Sequence, residues 1–109
     1  VGDRGTGIRV VRWRDPAAFT VGVERREFAA GHSLLVTDPA RTVVDLFWPL
    51  SGATEGGARE ALARLYRTGG DEAMNLCTTY ANSFRPARRE AVTAAVETLR
   101  ETVKWTAFP

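Results

Sequence analysis

Apolar positions recur at every second residue in the first third of the chain and at every third or fourth residue after Thr37. The first period suits strands, whose side chains alternate between two faces; the second suits helices. Ile8 to Trp13 (IRVVRW) reads as a strand rich in β-branched residues, stopped by Asp15-Pro16. Thr20 to Phe28 (TVGVERREF) is a second extended stretch, and Ser33 to Val36 (SLLV) a short third. Ala29-Ala30-Gly31-His32 between them suits a turn. The spacing predicts an antiparallel hairpin of residues 21–28 and 33–37, with Ile8–Trp13 beside it or nearby.

At Asp38 the pattern changes. Its carboxylate is placed to accept from free amides of a first helical turn, and Pro39 suits the first helical position. A helix over 39–48 would bury Ala40, Val43, Val44, Phe47 and Trp48. Pro49 and the loop Ser51–Gly57 end it. A second helix over 58–68 carries Ala58, Ala61, Leu62, Leu65 and Tyr66, and Gly69-Gly70 closes it. A third over 71–83 sets Ala73, Met74, Cys77, Tyr80 and Ala81 on one stripe, with Phe84 just beyond. A fourth over 86–103 turns Val92, Ala95, Val96, Leu99 and Val103 inward, with Arg88, Arg89, Glu97 and Arg100 on its wet side. About three strands followed by about four helices predicts one α+β domain over residues 1–109.

Composition narrows the class. Of the 109 residues, 44% are hydrophobic and 26% charged, a globular balance that excludes a disordered or collagen-like chain. One cysteine excludes an internal disulfide. The formal net charge is +2, and each half of the chain carries one more cation than anion, so no basic arm stands out. No apolar run approaches the roughly 18 residues that would span a bilayer. The expectation is a soluble cytoplasmic domain with no membrane partner. The chain starts at Val1 without an initiator Met, so a fragment of something longer is expected.

Two groups of residues are candidate sites. The first is the corner Asp38, Pro39, Arg41, Thr42 and Asp45. Arg41 and Asp45 lie four apart on one helix face and can meet. That corner reads either as a polar recognition site or as a helix cap with an intrahelical ion pair. The second is a basic surface of Arg9, Arg12, Arg14, Arg25 and Arg26, joined by Arg85, Arg88 and Arg89. Glu24, Glu27 and Glu90 are interleaved with these arginines, which favours a solvated, internally paired surface over nucleic-acid binding. His32 and Ser33 are adjacent on a strand and so point to opposite faces, which disfavours a catalytic pair. Cys77 sits on an apolar stripe and reads as a core thiol. Asp38 and Asp45 would stand about 10 Å apart, long for a shared metal. No catalytic, cofactor or metal site is expected.

In order, Arg9-Val10-Val11-Arg12-Trp13, then Thr20-Val21-Gly22-Val23-Glu24, then Leu35-Val36-Thr37-Asp38-Pro39-Ala40-Arg41-Thr42-Val43-Val44-Asp45-Leu46-Phe47 resembles the C-terminal domain of AbiEi-type antitoxins, from type IV toxin–antitoxin systems of bacteria. The resemblance spans roughly residues 8–99, and Pro39, Arg41, Thr42 and Asp45 match its corner motif. It implies a domain that counteracts a cognate nucleotidyltransferase-like toxin. It also implies an N-terminal winged helix-turn-helix that binds operator DNA, and no segment before Ile8 matches one. DNA binding is therefore expected of that missing domain and not of these residues. The alternative is a regulatory or oligomerisation domain of a transcription factor with no antitoxin role.

Overall fold

A computed structural model describes residues 16–106. A short 3-10 turn, Pro16–Phe19, leads into two strands, β1 (Val23–Ala29) and β2 (His32–Thr37). Three helices follow: α1 (Pro39–Leu46), α2 (Glu55–Ala81) and α3 (Pro86–Thr106), with a 3-10 turn at Pro49–Ser51 between α1 and α2. The α+β class is as the periodicities predict. The expected strand Ile8–Trp13 lies outside the described residues, so the described sheet has two strands.

β1 and β2 pair antiparallel, with Val23 opposite Thr37 and Arg25 opposite Leu35, and the register shifts between Glu27 and Ala29. The hairpin starts two residues later than predicted. Gly22 takes φ +67°, a left-handed turn that ends the extended run from Thr20 before β1 begins. Every residue from Glu24 to Leu35 is exposed. The alternation in sequence therefore does not bury one face of the hairpin against the helices.

Asp38 caps α1 as predicted: its Oδ1 accepts from the Arg41 amide at 2.8 Å, and Pro39 opens the helix. The helix ends at Leu46 rather than Trp48. Trp48 precedes Pro49 and adopts an extended φ −79°, ψ 128°, because the proline ring disfavours a helical residue before it.

The second and third predicted helices are one 27-residue element, α2. It begins earlier than expected because Thr54 caps it, its hydroxyl accepting from the Gly57 amide at 2.9 Å. That bond draws Glu55, Gly56 and Gly57 out of the expected loop. The predicted break at Gly69-Gly70 survives as a kink. Gly70 sits at φ 61°, ψ −156°, a region open only to glycine.

The core forms where the three helices meet. Ala40, Val43 and Val44 of α1 pack with Leu62, Met74, Cys77 and Ala81 of α2, and with Val92, Ala95 and Val96 of α3. Phe84, between α2 and α3, closes it. α1 lies against α2, and α2 against α3. No helix among the described residues is long and apolar enough to cross a membrane.

Candidate functional site

The strand-to-helix corner is built on Arg41. Its side chain is only 1% exposed although it carries a full charge. Burial of a guanidinium is tolerable when its donors are met. Nη1 donates to the Ala18 carbonyl at 3.0 Å and to the Val21 carbonyl at 2.6 Å. Nε donates to Asp45 Oδ1 at 2.8 Å. The planar fork of Arg suits this geometry, with backbone acceptors from one segment and a carboxylate from its own helix.

Asp38 ties a second set of elements. Its own amide donates to the Gly22 carbonyl at 2.9 Å, fixing the base of the hairpin to the start of α1. While Oδ1 caps the helix, Oδ2 accepts from the Tyr80 hydroxyl at 2.5 Å, which brings in the last turn of α2. Thr42 Oγ1 donates back to the Asp38 carbonyl at 2.9 Å, and Thr37 Oγ1 meets it at 2.7 Å.

The far side of the corner is cationic and aromatic. Arg88 of α3 lies 3.5 Å from Asp45 Oδ1. Its guanidinium carbon sits 4.2 Å from the Phe84 ring centre and 5.6 Å from that of Trp48. The guanidinium carbon of Arg41 lies 4.9 Å from the same Phe84 centre. Two cations thus share one carboxylate and the electron-rich face system of one phenyl ring. The corner consequently joins the Ala18–Gly22 segment, the hairpin base and all three helices.

Electrostatics follow from burial. Removal from water pushes the Asp45 carboxyl above the usual carboxylate value, while Arg41 and Arg88 pull it down. The Tyr80 phenol is pushed up to about 12, first by its hydrogen bond to Asp38 and then by burial. Burial raises the Cys77 thiol to about 11, with the Asp38 charge adding to it. Cys77 is fully buried, its Sγ 3.8 Å from the Ala40 carbonyl, as its place on the stripe predicts. Both carboxylates of the corner therefore hold protein donors. Among the described residues no three His, Cys, Asp or Glu side chains gather as a metal site.

Only part of the second candidate group falls among the described residues. Arg9, Arg12 and Arg14 lie outside the described residues. Arg25 and Arg26 are neighbours on β1 and so project to opposite faces. Arg26 pairs with Glu24 at 2.7 Å, and Arg25 donates to Ser33 Oγ at 2.9 Å. Arg88 is a correction: it is buried at 8% exposure, not on the wet side of α3. It stands four residues before Val92 and so falls on the same stripe as the buried valines. That spacing could have found it. Gly22 was missed too. A Cβ there would lie 2.7 Å from Arg41 Cβ and 2.8 Å from Tyr80 Cε2. A lone glycine inside a strand pattern is the signal for so close an approach.

Two open hollows lie on the surface of the described residues. One of about 380 Å³ is lined by Phe47, Trp48, Pro49, Ala58, Ala91 and Ala94 among others. A shallower one of about 360 Å³ sits at the hairpin tip around Arg25, Glu27, His32 and Ser33. At that tip His32 stacks loosely on Phe28, ring centres 6.0 Å apart. Comparison with protein-family models, with curated proteins and with solved structures found no match.

Proposed function

We propose that this chain is the antitoxin portion of an AbiEi-type regulator and counteracts a nucleotidyltransferase-like toxin in the bacterial cytoplasm. One observation carries the reading beside the resemblance in sequence. The four residues that match the family corner sit in the joint of this fold, where Pro39 opens α1, Thr42 tethers Thr37, and Arg41 bonds Asp45 and two carbonyls. A motif that forms such a joint specifies a scaffold. The neutralising surface then lies elsewhere on the domain, and the corner acts by holding that surface in shape. We read the domain as non-enzymatic, since the corner's carboxylates, Asp38 and Asp45, already hold protein donors. Operator binding is assigned to a separate N-terminal winged helix-turn-helix.

The test is co-expression of this chain with a nucleotidyltransferase-like toxin encoded beside its gene. Restored growth is the expected result. A folded, abundant chain that leaves the toxin lethal overturns the reading. The exposed hairpin favours a second reading, a regulatory or oligomerisation domain without antitoxin activity. No nucleotidyltransferase-like reading frame next to the gene would support that one.

A further inference from the structure

We propose that the outer edge of β2 is a self-association surface, through which two copies of this chain pair into one four-stranded antiparallel sheet. The proposal stands independently of the antitoxin reading. Among the described residues β2 has one strand neighbour, β1, and no described strand lies on its other edge; a chain that stays monomeric because residues 8–13 take that edge is an outcome that overturns the proposal.

The two edges of the hairpin differ in charge. β1 carries Glu24, Arg25, Arg26 and Glu27 in succession. β2 reads His32-Ser33-Leu34-Leu35-Val36-Thr37, with no Asp, Glu, Lys or Arg. Exposed edge strands ordinarily carry charge or proline to block pairing with another chain. β1 follows that rule and β2 does not. Leu34 and Leu35 are 55% and 54% exposed. As neighbours they project to opposite faces, so each face of that edge presents an exposed leucine.

Symmetry selects the register. A two-fold axis that pairs two identical antiparallel strands stands normal to the sheet and keeps each face on its own side. Opposed residues must share a face, so the axis passes through a residue. Centred on Leu35, it sets Leu35 against Leu35 of the second copy. Leu34 then opposes Val36, and Ser33 opposes Thr37, on both sides of the axis. Centred on Leu34, it would oppose Leu35 to Ser33 and Val36 to His32. Centred on Val36, it would oppose Leu35 to Thr37. The Leu35 register is the one that matches apolar with apolar and hydroxyl with hydroxyl, the pairs that stabilise a sheet. The outer strands of the product are the charged β1 strands, so growth stops at the dimer.

A six-residue edge falls short of the roughly 1,200 Å² of a tight interface, so the association is reversible. Sedimentation of the 109-residue chain over a concentration series tests it. The apparent mass should climb from 11.9 kDa toward twice that value. Leu35→Lys sets two like charges on the axis and should hold the chain at the monomer mass throughout, as should Leu34→Lys. Arg26→Gln, on the guarded edge, should dimerise like the parent. Amide exchange on the unmodified chain gives a reading that needs no variant: protection within residues 33–37 should rise with concentration. A monomer up to ~1 mM with unchanged protection overturns the proposal. So does a dimer indifferent to both lysine variants, or a ladder of larger oligomers.

Discussion

Arg41 reaches back twenty residues and donates Nη1–H to the Val21 carbonyl at 2.6 Å. The same nitrogen holds the Ala18 carbonyl, so a charge inside the helical body organises the segment that precedes β1. The backbone there lies outside any strand or α-helix. Arg41 ties it to α1, and Asp45 balances the guanidinium charge at 2.8 Å. Local helix capping and long-range chain placement thus depend on one side chain.

Replacing Arg41 by Met should cost about 3–5 kcal/mol, because it takes the donor from two carbonyls and leaves Asp45 to the longer 3.5 Å contact with Arg88 in a water-poor corner. Domains of this size hold only about 5–15 kcal/mol in all. Urea unfolding should show the midpoint falling steeply. An unfolding midpoint that barely moves would mean that Arg41 does not hold the Ala18–Val21 segment as described.

Gly22 and Gly70 both hold positive φ, at 67° and 61°, but their surroundings differ. A Cβ at Gly70 meets nothing within 4 Å, whereas one at Gly22 strikes Arg41 and Tyr80 at under 3 Å. Gly70→Ala should cost about 1–3 kcal/mol of backbone strain. Gly22→Ala should cost more, since it adds overpacking of about 1–3 kcal/mol. Equal losses of melting temperature would contradict the packing described for the hairpin base.

The helical half of the fold was legible because its signals are local. Asp38-Pro39 announces a cap and a first turn, and Val43, Val44, Met74, Cys77, Val92 and Val96 recur at helical spacing and are buried. Helix ends were less legible, since Thr54 capping overrides two glycines and Pro49 acts on the residue before it. The corner was visible as an Arg41–Asp45 pair of helical spacing. Its remaining partners were not. Tyr80 meets Asp38 across 42 residues and Arg88 meets Asp45 across 43, and periodicity carries no information about which helices touch. Arg88 carries a charge on the stripe of the buried Val92 and Val96, so its charge and its helical position point to opposite sides of α3.

Cys77 should be nearly inert to a disulfide reagent near neutral pH. The thiolate is the attacking form, and a thiol raised from 9.0 to about 11 presents about 100-fold less of it. Burial between α1 and α2 removes access as well. Kinetics with the native chain should be slow and single-exponential, and should accelerate in urea as α1 separates. Fast labelling of the native chain would mean that Ala40 and Cys77 are not packed as described.

Tyr80 should confer a stability that disappears in strong alkali. Its hydroxyl donates to Asp38 Oδ2, and its value rises from 10.0 to about 12 on folding. A raised value means that the folded state keeps its proton where the unfolded chain has released it. The contribution is therefore complete below the unfolded value of 10.0 and is lost as pH rises through about 12. Tyr80→Phe removes it outright, at about 1 kcal/mol for a partly solvated hydrogen bond. Urea unfolding of both proteins near neutral pH should show that gap, and repetition toward pH 12 should show it closing. Tyrosinate absorbance supplies the direct check: of the two tyrosines, the late-titrating one should vanish in Tyr80→Phe. A gap constant with pH would show that Tyr80 contributes through its ring and not through its bond to Asp38.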